Sequence, residues 1–350
     1  SILRVTVREG SRFRLGLEGG NGRSPSVGSL GGVADGSVFN LVGFGEALSA
    51  RGEISEGGAD YEVRVDAPVT PWDTRAAVRD RETRIEIVEE PFDDLEIESE
   101  AITWGAELEH PFYRTDTDEV WLGVVGEMRD LDTEVLGFDF CFEPDPGFGA
   151  GLPSCSGPSA TIVRGTASWT RRTPTDVVAL RALASFGVDA FGATIRSDDD
   201  LADGRFVSGL VQGQWIHVLP ESLWDSHLLL RGDLQLSDDP LLSFERFAIG
   251  GRATVRGYRE NQLVTDAGVI ASAELRVPVW RDAFGIHRLE VVPFMDFGHG
   301  WNEAGADPVD DVLWSAGVGL RAQPVDGLFA EAWWGGQLER VDDPNRDLQD

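Results

Sequence analysis

The sequence predicts an all-β protein, a transmembrane antiparallel β-barrel in which about fifteen strands are present. Three observations predict this class. Apolar and polar residues alternate over segments of about ten or more residues. These segments are joined by connections that alternate between short and long, and tryptophans recur at the short ones. Helical periodicity is scarce, and no stretch approaches the roughly 18 uncharged apolar residues of a transmembrane helix.

The alternation is clear in "DVVALRALASFGVD". Val178, Leu180 and Ala182 share one face, whereas Arg181 and Ser185 share the other. Strands of soluble proteins are usually about five or six residues long, and these segments are roughly twice that length. Long strands with an apolar face, a charged face and many glycines are typical of a barrel with lipid outside and water inside.

Turn signals divide the chain into fifteen predicted strands. In order they span residues 11–20, 29–42, 45–56, 58–69, 73–89, 99–110, 118–131, 157–172, 176–190, 204–218, 224–236, 267–279, 286–300, 309–323 and 326–339. Single-chain barrels of this kind normally close with an even number of strands. We therefore expect residues 10–350 to form a barrel that lacks its last strand, and residues 1–9 to be a remnant of a preceding periplasmic segment.

The connections indicate the orientation of the barrel. Short connections lie at 69–72, 172–175, 220–224, 280–285 and 323–327, and long ones at 132–156, 191–203, 237–266 and 339–350. Bacterial outer-membrane barrels have short turns at the periplasm and long loops outside. Trp72, Trp224 and Trp280 all lie at short turns, as an aromatic girdle at one membrane interface requires. Packing at strand ends is the alternative explanation for these tryptophans.

The long connection 237–266 contains the unusual sequence "FAIGGRATVRGYREN". Its distinctive residues are Gly250, Gly251, Val255, Arg256, Gly257 and Tyr258. Adjacent glycines allow backbone conformations that other residues resist. A guanidinium buried inside a barrel would need a carboxylate partner in a fixed geometry, whereas an arginine exposed on a turn is the common alternative.

A carboxylate suited to Arg256 occurs in "HRLEVVPFMDFGHGW". Alternation turns Phe294, Asp296 and Gly298 toward the lumen, so Asp296 is a charged residue that faces inward in the middle of a strand. The same parity turns other charged side chains inward, at Glu274, Arg276 and Glu290. We therefore expect Arg256 of the loop to pair with Asp296 of the wall.

The composition excludes one class of partner. The net charge is −31, with 61 acidic and 30 basic residues, and general binding to nucleic acid needs a basic surface instead. The two cysteines, Cys141 and Cys155, lie in one loop rich in glycine and proline, without CxxC spacing or a nearby histidine. This arrangement favours a disulfide over a metal site, with two free thiols as the alternative.

Three segments taken together resemble a known family. "FAIGGRATVRGY", "ASAELRVPV" and "VVPFMDFGHGWN" are similar to the carboxyl-terminal barrel of two-partner secretion transporters. These are the TpsB proteins, the ShlB/FhaC/HecB haemolysin activator and secretion family, within the superfamily that includes BamA. "GNGRSPSVGS" and "NLVGFGEALSARG" are similar to the first hairpins of the family, so the resemblance covers nearly the whole chain. Its most specific part is the combination of Val255-Arg256-Gly257-Tyr258 with Phe294-x-Asp296-x-Gly298.

The resemblance implies a 16-stranded barrel in the outer membrane of a Gram-negative bacterium. In this family the sixth outer loop enters the lumen, where the motif arginine pairs with the strand aspartate. The resemblance also implies a monomeric pore, in contact with outer-membrane lipid, that translocates an unfolded haemolysin- or adhesin-type exoprotein to the cell surface. Upstream POTRA domains would recognise that partner. Neither these domains nor the terminal strand is expected among residues 1–350, so partner recognition is not carried over, and we expect that this stretch by itself does not close or insert.

Other functions fit the sequence less well. A BamA-like insertase would share both motifs, and a passive porin would explain the barrel but not the loop. The five histidines lack a supporting catalytic motif, and parity turns His217 and His287 toward lipid. The acidic loops "SDDDLADG" and "LSDDP" offer oxygen ligands for calcium without EF-hand spacing. We therefore predict no enzymatic activity, no catalytic residue, no cofactor and no metal site.

Overall fold

The computed structural model describes residues 10–90, 92–139, 157–196 and 201–341, which are mostly β-strand. The strands are β1 (Phe13–Gly20), β2 (Gly31–Phe39), β3 (Ala47–Ser55), β4 (Gly58–Pro68), β5 (Arg75–Glu86), β6 (Ile97–Arg114), β7 (Asp118–Val135), β8 (Phe138–Asp139), β9 (Ser159–Arg172), β10 (Asp176–Val188), β11 (Val207–Val218), β12 (His227–Ser237), β13 (Phe247–Ile249), β14 (Leu263–Thr265), β15 (Ala267–Arg281), β16 (His287–Trp301), β17 (Val312–Val325) and β18 (Leu328–Gln337). Short 3-10 helices lie at Pro25–Val27, Asp93–Leu95, Glu221–Leu223 and Ser243–Glu245. Within this described part of the chain, no helix is long and apolar enough to cross a membrane.

The long strands form one antiparallel sheet in which each strand pairs with the next long strand along the chain. The sheet order runs from β1 to β18 without a crossover; β8 pairs only with β7, and β13 and β14 form a separate hairpin. The long strands coincide with the fifteen predicted from alternation, so the all-β antiparallel prediction is confirmed. Boundaries differ by a few residues, as in β6, which spans 97–114 rather than 99–110.

The two faces of the sheet have opposite polarity. One face exposes large apolar side chains such as Leu17, Val124 and Met295, which are 89 %, 56 % and 49 % accessible. The other face buries acidic side chains such as Glu127 and Asp296. Apolar groups outside and charges inside suit a barrel surrounded by lipid rather than by water.

The three tryptophans at the short turns are exposed. Trp72, Trp224 and Trp280 lie at the same end of the sheet. In this antiparallel sheet, the three strands that lead into their turns all run in the same direction. Side chains that combine an apolar ring with a polar N–H are enriched at membrane interfaces. Their placement agrees with the predicted girdle.

The sheet curls until its first and last strands come close together. Nη1 of Arg252 lies 3.4 Å from Oε1 of Glu18 on β1, and its Nη2 lies 3.6 Å from Oε2 of Glu331 on β18. A single loop side chain therefore reaches both ends of the sheet. Among the described residues β1 and β18 are not paired with each other, so no backbone ladder closes the sheet there.

Some sequence predictions fall outside the described residues. These concern residues 1–9 and the pair Cys141 and Cys155. The domain boundary, the disulfide and the sixteenth strand therefore stay predictions.

Two consecutive irregularities between β15 and β16 correct one prediction. Pro278 pairs with Glu290, Trp280 with Leu289, and Arg281 with His287, so the register shifts twice. Bulges of this kind re-aim side chains. As a result His287 lies on the same side as Glu290, with its Nδ1 3.3 Å from the Glu290 carboxylate, and the prediction that it faces lipid is wrong.

Candidate functional site

The loop between β12 and β15 folds as a hairpin inside the curved sheet. The pairing of β13 with β14 places Phe247 opposite Thr265 and leaves residues 250–262 at the tip. The hairpin carries its own apolar core against the wall, formed by Phe247, Ile249, Val255, Tyr258, Leu263, Ile270 and Leu313. Hydrophobic burial therefore favours the inserted position of the loop over a hydrated one.

Arg256, at the tip of this hairpin, pairs with Asp296 of β16. Its Nε donates to Oδ2 at 2.8 Å and its Nη2 donates to Oδ1 at 2.8 Å. The backbone N–H of Arg256 also donates to Oδ2, at 3.1 Å. Asp296 is fully buried, and Arg256 is 4 % exposed. A two-pronged contact with the carboxylate fixes the orientation of the guanidinium as well as its position.

A second carboxylate, Glu274 of β15, lies on the other side of the guanidinium. Nη1 of Arg256 donates to its Oε1 at 2.8 Å. Two wall arginines hold the same carboxylate: Nη2 of Arg231 lies 2.7 Å from Oε1, and Nη2 of Arg276 lies 2.9 Å from Oε2. Glu274 thus remains compensated by cations of the wall itself.

Aromatic rings complete the pocket around Arg256. The central carbon of the guanidinium lies 3.7 Å from the ring centroid of Phe294 and 4.5 Å from that of Trp333. Both distances are within the range of cation–π attraction. Burial alone would lower the pKa of Arg256, but the contacts with Asp296 and Glu274 outweigh it and raise that pKa.

The wall beneath the motif is built from small residues. Ser272, Asp296 and Ser315 face one another across β15, β16 and β17, which leaves room for a guanidinium above them. The hydroxyl of Ser272 donates to Asp296 at 2.7 Å. A Cβ on Gly298 would lie 2.9 Å from Cγ2 of Val255, so only glycine lets the loop approach this closely.

The residues that follow Arg256 fix the tip to β17 and β18. Gly257 has a φ of +92°, and a Cβ there would lie 2.9 Å from the backbone of Gly335. The hydroxyl of Tyr258 lies 2.7 Å from the Trp314 carbonyl and 2.6 Å from the Glu339 carbonyl. The Arg-Gly-Tyr sequence therefore gives one buried charge, one close backbone crossing and one anchored hydroxyl.

A second ionic network, which the sequence analysis missed, holds the first limb of the loop to β7 and β9. Glu245 accepts two hydrogen bonds from Arg164, at 2.8 and 3.0 Å, and pairs with Arg129 at 2.9 Å. Nε of Arg164 also donates to Glu127 at 2.6 Å, and Glu127 pairs with Arg79. Inward parity of Glu127 and Arg164 was the available signal, but no motif links residues this far apart in sequence.

The predicted site residues thus fall into two groups. Glu274, Arg276 and Glu290 line the same wall as Asp296, as parity requires. Gly250 and Gly251, with φ of +115° and +96°, begin the tip of the hairpin. Neither glycine takes part in the contacts of Arg256 described above. Ser272 and Trp333 contribute to the pocket without a sequence signal.

The comparisons with known proteins agree with this geometry. A family model described as haemolysin secretion/activation protein ShlB/FhaC/HecB matches residues 154–322, just under half of the chain. The resemblance to this family that the sequence predicts is confirmed over these residues. The matched residues of this chain include both the loop motif at Arg256 and the strand motif at Asp296. No curated protein sequence matches the chain.

Solved structures share the fold at low sequence identity. CdiB from Escherichia coli has a TM-score of 0.76 and 17 % identity, over 96 % of this chain and 61 % of that one. CdiB from Acinetobacter baumannii has a TM-score of 0.67 and 15 % identity, over 94 % and 56 %. BamA from Haemophilus ducreyi, in a form lacking POTRA domains 1–3, has a TM-score of 0.65 and 13 % identity, over 96 % and 68 %. The chain therefore spans about three fifths of the CdiB chains that it matches.

Proposed function

We propose that the chain is the barrel of an outer-membrane transporter that moves an unfolded partner exoprotein from the periplasm to the cell surface. Two findings support the proposal: the match to the haemolysin secretion/activation family and the CdiB-like fold. The observation that carries it is the inserted loop, whose Arg256 is held by two buried carboxylates. Such a loop narrows the lumen in a defined position, as a controlled pore requires.

A BamA-like insertase is the second candidate, because BamA shares the fold. A passive porin fits less well, since an open water channel does not need a loop that is held inside the lumen by an apolar core and buried ion pairs. We also propose the outer membrane of a Gram-negative bacterium as the location, and the translocated exoprotein and membrane lipid as the partners. The exoprotein is expected to be of the haemolysin or adhesin type.

A secretion assay tests the transporter. The protein is expressed with the exoprotein encoded beside it, and export is compared for the parent, Arg256→Ala, Asp296→Ala and the double variant. We expect the single variants to lose export, and the double variant to lose little more, because the residues act as a pair. Arg252→Ala, in the same loop but partly exposed, is the matched control.

Normal export in both single variants would contradict the role of the pair. If instead the protein restores assembly of other barrel proteins in a strain depleted of its own insertase, and exports nothing, the insertase function is the correct one. The role of the pair would still be measurable in that assay.

A further inference from the structure

Two histidines and a glutamate meet at the turn end of the sheet, outside the Arg256 pocket. His227 begins β12, and His287 and Glu290 lie near the start of β16. One possible ligand atom from each lies within 4.8 Å of the others. The imidazole rings of the two histidines are 5.5 Å apart and tilted by 34°. The three side chains line one cavity of about 340 Å³.

The spacing of two of these groups matches the requirement of a bound metal ion. Nδ1 of His287 lies 3.3 Å from Oε1 of Glu290, which is long for a charge-assisted hydrogen bond. A tetrahedral zinc ion bonded at about 2.0–2.1 Å places adjacent ligands roughly 3.3–3.5 Å apart. His227 lies on β12, and β15 separates it from β16. A small adjustment of its side chain would bring it into a third ligand position around the metal ion.

The surroundings leave the ligand atoms available. Arg321 holds the other carboxylate oxygen of Glu290, Oε2, at 3.3 Å, so Oε1 remains turned toward the histidines. The nearby cations are already compensated: Arg276 by Glu274, and Arg321 also by Glu331 at 2.7 Å. A hydrogen bond to the carboxylate oxygen that does not bind the metal is a usual way in which a carboxylate ligand is oriented.

We propose that His227, His287 and Glu290 form a binding site for a divalent transition metal of the zinc class. Two imidazoles and one carboxylate are ligands that zinc accepts, and calcium and magnesium prefer sites made only of oxygen. The site joins β12 to β16 over β15, and the cavity leaves the fourth position open to water. The sequence prediction of no metal site did not anticipate it, because the double bulge reverses the expected direction of His287.

The test measures binding of Zn²⁺ to the full chain folded in detergent or lipid, by competition with a chromogenic chelator. We expect one Zn²⁺ per chain, with affinity at least about tenfold lower in His227→Gln, His287→Gln and Glu290→Gln, since even indirect ligand partners are worth that much. His217→Gln is the control, because His217 pairs with Asp176 at 2.7 Å on other strands. Mg²⁺ should not compete.

A second measurement does not depend on the folding of the variants. Zn²⁺ should protect His227 and His287 of the parent chain, but not His217, from alkylation, as read by mass spectrometry. Absence of both binding and protection in the parent overturns the proposal. So does Zn²⁺ binding that the three ligand substitutions leave unchanged.

Discussion

The Arg256–Asp296 contact owes its strength to burial and to its two-pronged geometry. An isolated ion pair on a surface contributes about 0–1 kcal/mol. Removing one member of a buried pair leaves an uncompensated charge and costs about 3–5 kcal/mol. The two kinds of pair occur in the same molecule, since Arg288 and Asp326 form an exposed one in which the aspartate side chain is 83 % accessible.

Asp296→Asn is therefore expected to lower the free energy of unfolding by about 3–5 kcal/mol. Asp326→Asn, the matched exposed change, should cost no more than about 1 kcal/mol. Urea unfolding of the barrel in lipid vesicles, followed by tryptophan fluorescence, measures both. Equal and small losses would show that Asp296 does not hold a buried charge.

Gly257 provides a second residue-scale prediction. Alanine is strained at any φ near +90°, so both Gly257→Ala and Gly327→Ala should destabilise the fold. Only at Gly257 would the added methyl group meet another backbone, that of Gly335 at 2.9 Å, because nothing lies within 4 Å at Gly327. We expect the larger loss of stability, and a loss of export, only for Gly257→Ala. The same urea titration compares the two variants. Equal losses of stability would contradict the close approach of Gly257 to the backbone of Gly335.

At the scale of elements, alternation was enough to predict the strands. The alternation of apolar and polar residues follows from having lipid on one side of each strand, and turn residues mark where each strand ends. The strands from β1 to β18 were therefore predictable from local sequence, except for the short β8, β13 and β14. The Arg256–Asp296 partnership was also predictable, because each residue lies in a recognisable motif. Glu245 was not, since its partners Arg129 and Arg164 come from strands far away in sequence. Nor was His287, because a bulge breaks the parity on which its prediction rested.

The first limb of the loop depends on Glu245. Glu245→Gln removes the charge that Arg129 and Arg164 share, so this limb should leave the wall more often. We expect a higher conductance, or more frequent opening, of single pores in a planar bilayer. Glu221→Gln, on a 3-10 helix at a short turn, is the matched control.

Unchanged currents in both variants would mean that the limb does not control the channel. Increased currents in both would mean that the loss of any acidic charge, rather than this contact, is responsible. The comparison therefore isolates the anchor at Glu245.

At the scale of the whole molecule, Arg252 connects the two ends of the sheet through Glu18 and Glu331. Its side chain is 43 % accessible, so salt should weaken these contacts. Arg252→Gln is expected to cost about 0–1 kcal/mol at low salt and nothing measurable at about 1 M NaCl, where charges are screened within roughly 3 Å.

The loss caused by Asp296→Asn should persist at the same salt concentration, because buried pairs are screened much less. Urea titrations of the parent and both variants at about 0.1 M and 1 M NaCl give the comparison. If both losses vanish together, the Arg256 pocket is open to the solvent ions.

The two carboxylates that hold Arg256 differ in what they would keep if the loop withdrew. Glu274 would retain Arg231 and Arg276, whereas the remaining described side-chain hydrogen bond of Asp296 would be the one from Ser272. The empty wall would then present one neutralised anion beside one bare anion, with an aromatic surface next to both. Such a vacancy attracts a single cation at one point of the lumen. If the proposed transport function is correct, an arginine or lysine of the exoprotein would fit this vacancy, and basic residues of the exoprotein would then compete with the return of the loop.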